Sequence, residues 1–348
     1  MNVTLRLAMY KHKPPAVLDK NVLQRICELG SPEMEDERIH FLKENFQIAV
    51  TYELVVETMK GYSLSSDKTK ALHRKMLKRI LDFYPHWIEP APSLVFKQLI
   101  LKIDLDTCLG LDPAKARVFY RLISQPESYE EEFAKVAKIF QDEKSQRLQT
   151  RIALQKVFQE SKLFQEYLKL DLLNPPDFRS FLENNRRAFE FIMQCPDLKH
   201  SMLKASLGEP LKRWHSEHAG QIDQALAVLD CKQLDGLPFT RNYLLAEWLY
   251  DVGPVTRIGK TVNENNQRVL SVKEEKQINN EQDQQYVAAA FACEHLFTCD
   301  KEMHRIANLF SQAHLWDGSS VLIKQSQIEN LEEFIACFTP SLTGSSVR

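Results

Sequence analysis

Leu211–Leu229 reads Leu-Lys-Arg-Trp-His-Ser-Glu-His-Ala-Gly-Gln-Ile-Asp-Gln-Ala-Leu-Ala-Val-Leu. Leu211, Trp214, His218, Ile222, Ala225 and Leu229 recur at spacings of three and four, so one continuous helix would align them in a single apolar stripe. Trp214, Ile222 and Leu229 are therefore expected in the core. The same period appears on both sides of this stretch. Ile48, Tyr52, Val55 and Met59 set it over 39–60, with Gly61 as a natural stop. Ser65-Ser66-Asp67 offers an N-cap to a helix carrying Leu72, Met76, Ile80 and Phe83 and ending at Pro85. Phe133, Val136, Ala137 and Phe140 share a face, as do Val157, Ser161, Phe164 and Leu168. Asp177 follows Asn174-Pro175-Pro176 and caps a helix bearing Phe178, Phe181, Leu182, Phe189 and Ile192. Asn242–Tyr250 is a short apolar helix stopped by Gly253-Pro254, Gln284–His314 a long one, and Ile328–Phe338 the last.

One interval departs from the helical period. Val255–Val262 and Arg268–Lys273 flank a polar Asn263-Glu264-Asn265-Asn266 tip, the pattern of a β-hairpin. Val3, Leu5, Leu7 and Met9 alternate as a short strand or a helix start, and 320–324 fits a short strand. Gln277–Asp283 is polar and expected to be loop, and the tail after Pro340 is expected to be mobile. The fold class is accordingly mainly α, a multi-helix assembly with a short β-hairpin near 255–273. No fixed-period repeat supports a consensus solenoid. Three prolines in Pro85–Pro92 suggest a rigid connector. Boundaries follow at 1–90 for an N-terminal helical region, 91–252 for a central helical domain, 253–280 for hairpin and loop, and 281–348 for the C-terminal helices and tail.

Only 10 of 348 residues are glycine, which weighs against folds that need glycine-bearing phosphate loops or nucleophile turns. Hydrophobic residues make up 44% and charged residues 26%, enough for a sizeable core. A net charge of −2 supplies no global attraction to nucleic acid, and no nucleic-acid partner is expected. Seven scattered cysteines without a C-x-x-C pair fit reduced thiols in a cytoplasm. No signal peptide and no apolar run of transmembrane length is evident.

Cys293, His295, Cys299 and His304 are donor types that zinc prefers. On a single helix, however, His295 and Cys299 share one face, whereas Cys293 and His304 point nearly opposite and lie about 16 Å apart. Four such ligands do not converge, so no metal is expected. His215-Ser-Glu-His218 lacks the spacing of H-E-x-x-H, and His218 belongs to the apolar stripe. Gly259-Lys260-Thr261 ends like a P-loop, but Pro254 stands where the leading glycine belongs. No cofactor motif remains, and none is expected.

Charge patterning is more informative. Lys68, Lys70, Arg74, Lys75, Lys78 and Arg79 crowd one amphipathic helix, a face able to meet an acidic protein or an anionic membrane surface. The bland alternative is a solvated face. Glu127, Glu130, Glu131 and Glu132 fit a helix N-terminus favoured by the dipole.

Several phrases resemble Ras-type guanine nucleotide exchange factors. Leu77–Ile88 with Trp87 is followed by Gln98-Leu-Ile-Leu-Lys-Ile-Asp104 and then by Asp112-Pro113, similar to the opening of that family's helical catalytic domain. Leu211-Lys-Arg-Trp214 resembles its Leu-Lys-x-x-Trp phrase one residue short, and Lys301–Ala307 a late Glu-Lys-x-x-x-Ile-Ala phrase. The resemblance covers Leu72 to Trp316. It implies an N-terminal helical motif joined to a helical domain that opens a small GTPase without covalent chemistry or cofactor. Glu329-Asn-Leu-Glu-Glu-Phe334 before a small polar tail is similar to export signals of bacterial effectors translocated into host cells.

These features fit a soluble, cytoplasmic, helical interaction or regulatory protein with a protein partner, such as a small GTPase. Two alternatives stand beside it: an enzyme with a Cys/His or carboxylate site assembled from distant residues, and a bacterial effector delivered into a host cell.

Overall fold

Pro-Ala-Val-Leu forms the strand β1 (Pro15–Leu18), in which Ala16, Val17 and Leu18 have no solvent exposure. So short and wholly apolar a strand suits the middle of a parallel sheet covered on both faces. The computed structural model describes residues 13–103 (except 30, 65, 84 and 85), 105, 113–139, 142, 157, 161, 187, 189–251 and 283–344. β1 pairs in parallel with β2 (Gln47–Ala49) on one side and with β3 (His295–Thr298) on the other. β3 pairs in parallel with β4 (Ser319–Leu322), giving the order β2-β1-β3-β4. Helix dominates the rest, so the mainly α class holds, with this small parallel sheet inside it.

From β1 the chain passes through α1 (Lys20–Leu29) and α2 (Pro32–Asn45) to reach β2. Ser31 caps α2 by accepting the Met34 N–H, and Pro32 occupies the first turn, where its missing N–H costs nothing. α3 (Tyr52–Leu64) and α4 (Asp67–Asp82) then pair side by side. The expected single helix over 39–60 is therefore two, with β2 between them. Phe46, Ile48 and Val50 are all buried at period two, and Ile48 fits that alternation as well as the helical stripe. Gly61 does not stop the helix. A Cβ there would meet the His73 ring at 2.0 Å, so glycine serves the close approach of α4.

α5 (Ala91–Leu99) and α6 (Pro113–Ser124) follow, then a helical stretch over 130–139 in which Phe133 and Ala137 are buried. The 86–90 segment lies along the sheet: Val50 bridges Trp87, and Trp87 and Ile88 are buried.

The 211–229 stretch is not one helix. α7 (Pro196–Leu203) runs through a π-helical turn, Lys204–Gly208, into α8 (Glu209–Trp214). His215 leaves the helix at φ −139°, and a 3-10 turn, Ser216–His218, leads into α9 (Ala219–Val228). Leu211, Ile222 and Leu229 are buried as expected. Trp214, the last residue of α8, and His218 and Ala225 beyond the break are only half-buried.

α10 (Cys231–Asp235) carries a capping box between Asp230 and Gln233, and α11 (Pro238–Asp251) contains the expected apolar segment 242–250. The expected helix over 284–314 is also divided. Residues 283–290 are helical, β3 follows, and α12 (Lys301–Gln312) starts at Asp300, whose carboxylate accepts the Met303 N–H. The strand at 320–324 exists as β4, entered through Gly318, where a Cβ would meet Trp316 at 2.2 Å. α13 (Gln325–Glu329) and α14 (Leu331–Gly344) complete the chain's described part, α14 running through Pro340. Phe41 and Phe46, Phe297 of β3, and Phe334 and Phe338 of α14 pack edge-on around one sheet face. Each buried ring contributes about 1.5–3 kcal/mol.

No described helix is long and apolar enough to cross a membrane. The hairpin at 255–273, the N-terminal alternation 3–9, most of the 157–168 and 177–182 helical patterns, Phe140 and the 277–282 loop lie outside the described residues.

Candidate site at the carboxyl edge of the sheet

Four parallel strands end on one edge, and the chain leaves β1 toward β2 but later returns to β3 on the opposite side. Between β1 and β3 the connections therefore diverge, the position at which open α/β sheets hold ligands. Asp19 stands there, directly after β1 and 2% exposed. Its carboxylate accepts the Asn21 N–H at 3.2 Å and the hydroxyl of Thr298, the last residue of β3, at 2.9 Å. The Thr298 oxygen in turn accepts the Asp300 N–H at 2.9 Å. One hydroxyl thus ties the ends of both strands together. Burial raises the Asp19 pKa; the bonds from Asn21 and Thr298 oppose that rise, and the Asp300 charge adds to it.

Two glutamates join from α3. Glu53 and Glu57 fall one turn apart, 6% and 8% exposed. Tyr286, from the 283–290 helix, donates its phenol to Glu57 at 3.1 Å. Burial, and then the charges of Glu57, Asp19 and Glu53, raise the Tyr286 pKa well above its ordinary value. A second buried phenol, Tyr250 of α11, is raised first by burial and then by Asp283, Asp300 and Glu302, with Arg305 opposing. The charges of Glu57, Asp19 and Glu53 thus act on Tyr286, and those of Asp283, Asp300 and Glu302 on Tyr250. Acids gathered in a low dielectric repel one another and favour protons or a cation.

Among the described residues no group of three His, Cys, Asp or Glu side chains is arranged to hold a metal ion by itself. Mg²⁺ characteristically takes only one or two carboxylates and completes its shell with water and substrate phosphate oxygens. The oxygen donors here suit that ion better than zinc. The pKa of the Cys299 thiol is pushed up to about 12, chiefly by burial and then by Asp19, which disfavours its thiolate.

The basic face of α4 is largely committed within the chain. Lys70 pairs with Glu130 and Arg74 with Glu127, so the acidic 127–132 run is the counter-surface of this helix. Lys75 and Arg79 both reach Glu35, which is wholly buried in α2, and Arg79 also meets Asp36 and Asp82. Lys78 is exposed. The side chain of Lys68 is outside the described set.

Cys293, His295, Cys299 and His304 do not share one helix: the first lies in a turn, His295 in β3, Cys299 after it and His304 in α12. His295 bonds Ser319 at 2.9 Å between Phe46 and Phe297, and burial lowers it to about 4. His304 bonds Ser320 at 3.1 Å. His215 stacks flat on Phe96 at 3.9 Å, and His218 bonds Gln221 at 2.9 Å.

Sequence reasoning passed over Asp19, Glu53, Glu57, Asp283, Asp300 and Tyr286. A signal was present: Ala16-Val-Leu-Asp19 and Leu296-Phe-Thr-Cys-Asp300 are both strand-length apolar runs closed by an aspartate. Comparison with protein-family models, curated proteins and solved structures finds no match to this chain.

Proposed function

We propose that the chain is an enzyme whose acidic edge takes a divalent cation, Mg²⁺ or Mn²⁺, and through it hydrolyses a phosphate ester. This is the carboxylate site assembled from distant residues. One observation carries it: at the divergence of a parallel sheet the buried Asp19 carboxylate accepts the Thr298 hydroxyl, and the half-buried Asp300 donates its backbone N–H to the same oxygen. Asp19 and Asp300 would hold the cation, and Glu53 and Glu57 would orient or deprotonate its bound water. Such an ion would lower the pKa of that water and neutralise charge on the phosphoryl oxygens. That water would attack phosphorus, the ester P–O bond would break, and the departing oxygen would take up a proton.

Docking of an acidic partner or a small GTPase on α4 has weaker support, because Lys70, Arg74, Lys75 and Arg79 already hold the chain's own acids. The test is release of p-nitrophenol from bis(p-nitrophenyl) phosphate and p-nitrophenyl phosphate, with Mn²⁺ or with EDTA. Mn²⁺-dependent release that Asp300→Asn abolishes is expected. Equal background rates with and without Mn²⁺ on both esters would contradict the proposal.

A further inference from the structure

His73 lies where α4 meets Gly61 of α3, and it is 6% exposed. Its Nδ1 stands 2.9 Å from the Thr69 carbonyl oxygen, one turn back along α4. A carbonyl only accepts, so Nδ1 carries the hydrogen of the neutral ring and Nε2 bears the lone pair. Nε2 is also the ring atom nearest Gly61. A Cβ built there would lie 2.0 Å from Nε2, 2.3 Å from Cδ2 and 2.6 Å from Cε1. Glycine holds a C–H along that same direction, so the lone pair meets a hydrogen and has no room for a second one. The charges that act on the ring come from α1, where Lys20 opposes a proton and Glu28 favours it. On α3, Glu57 and Lys60 flank Gly61, and Glu57 accepts the Tyr286 phenol. On α2, which also packs against α4, Glu35 and Asp36 are held by Lys75 and Arg79. Among the described residues no charge from α2, α3 or α6 acts on the ring.

We propose that His73 makes the contact between α3 and α4 a proton-operated seam: the neutral ring fits against Gly61, and the imidazolium, with a second N–H on Nε2, forces the two helices apart. The imidazolium would aim a charged donor at a backbone C–H rather than at an acceptor, and a charged donor left unpaired is costly. Burial lowers the pKa of His73, with the bond to the Thr69 carbonyl opposing that shift. The unfolded chain therefore binds this proton first as pH falls. His73 contributes stability that is present above its ordinary 6.5 and is lost as pH falls below it toward the folded value. Such an opening reaches the sheet edge, because α3 follows β2 and carries Glu53 and Glu57. The competing role is a core histidine that stays neutral until the whole chain unfolds. Local opening of α3 and α4 in acid separates the two.

The experiment uses the full chain as wild type and His73→Asn, which keeps an N–H for the Thr69 carbonyl and takes up no proton. Urea midpoints are measured from about pH 7.5 down to about pH 5.5. Burial also lowers the pKa values of His86, His295 and His304, and comparison of the two proteins subtracts their effects. Wild type should lose stability more steeply than His73→Asn as pH falls. Amide exchange in wild-type α3 and α4, corrected for intrinsic rates, should accelerate relative to the β-strands by up to about tenfold per pH unit. The His73 ring signals in NMR should titrate below 6.5. Parallel loss of stability in the two proteins would overturn the inference, as would α3 and α4 amides that open no more readily in acid. A ring that titrates at or above 6.5 would overturn it too. If His73→Asn does not fold, exchange and ring titration in wild type decide the question alone. None of these readouts involves cation binding or ester hydrolysis, so the seam stands or falls independently of the acidic edge.

Discussion

Asp19 joins stability to function at the level of one side chain. Its folded-state pKa lies above the ordinary 3.8, first because burial disfavours the carboxylate. The sign follows from linkage. A raised acid pKa means that the unfolded chain releases this proton first, so the group costs stability as pH rises through and beyond 3.8. Asp19→Asn removes that cost while keeping a side chain able to bond Thr298 and the Asn21 N–H. At about pH 7.5 the variant should therefore be as stable as wild type or more so, and its advantage should shrink at about pH 4.5. Urea midpoints of both proteins at the two pH values check this. A variant markedly less stable at neutral pH would show that Asp19 is a structural acid. None of these roles was legible residue by residue, because an aspartate after Ala-Val-Leu looks the same whether it is buried at the strand ends or faces solvent.

At the scale of elements, α4 was correctly placed from its apolar spacing, and its basic residues were found, but what they face was not. Lys75 and Arg79 converge on Glu35 of α2, a long-range partner that no window of sequence displays. Glu35 is wholly buried while its partners are partly exposed, so cations left behind can hydrate. Glu35→Ala should consequently cost about 2–3 kcal/mol, somewhat below the usual loss for breaking a fully buried pair. Lys78→Glu should cost under about 0.5 kcal/mol, since an exposed charge contributes little. Chemical denaturation of the two variants distinguishes this from a uniformly solvated basic face, for which both changes would be mild. The divided helices share one cause: Ile48 in β2 and Leu296–Phe297 in β3 are short apolar runs that fit a helical stripe and a buried strand equally well. At 211–229 the periodicity held for Leu211, Ile222 and Leu229, while the departure of His215 from helical φ ends the helix directly after the half-buried Trp214.

The molecule as a whole was legible in class but not in topology. Low glycine and a sustained 3.6-residue period point to helix, and helix dominates. The four strands are three or four residues each and come from residues 15–18, 47–49, 295–298 and 319–322. Their parallel pairing depends on contacts across more than half the chain, which local pattern does not encode. That pairing brings Asp19, Thr298 and Asp300 together at the strand ends, and it carries the functional proposal. The most direct test is calorimetric titration of Mn²⁺ into wild type, Asp19→Asn and Glu57→Gln, with circular dichroism confirming that all three are folded. Wild type should bind Mn²⁺ saturably, Asp19→Asn should bind at least about tenfold more weakly, as loss of one carboxylate ligand entails, and Glu57→Gln should bind nearer to wild type. No saturable binding to wild type, or equal binding by Asp19→Asn, would contradict the account.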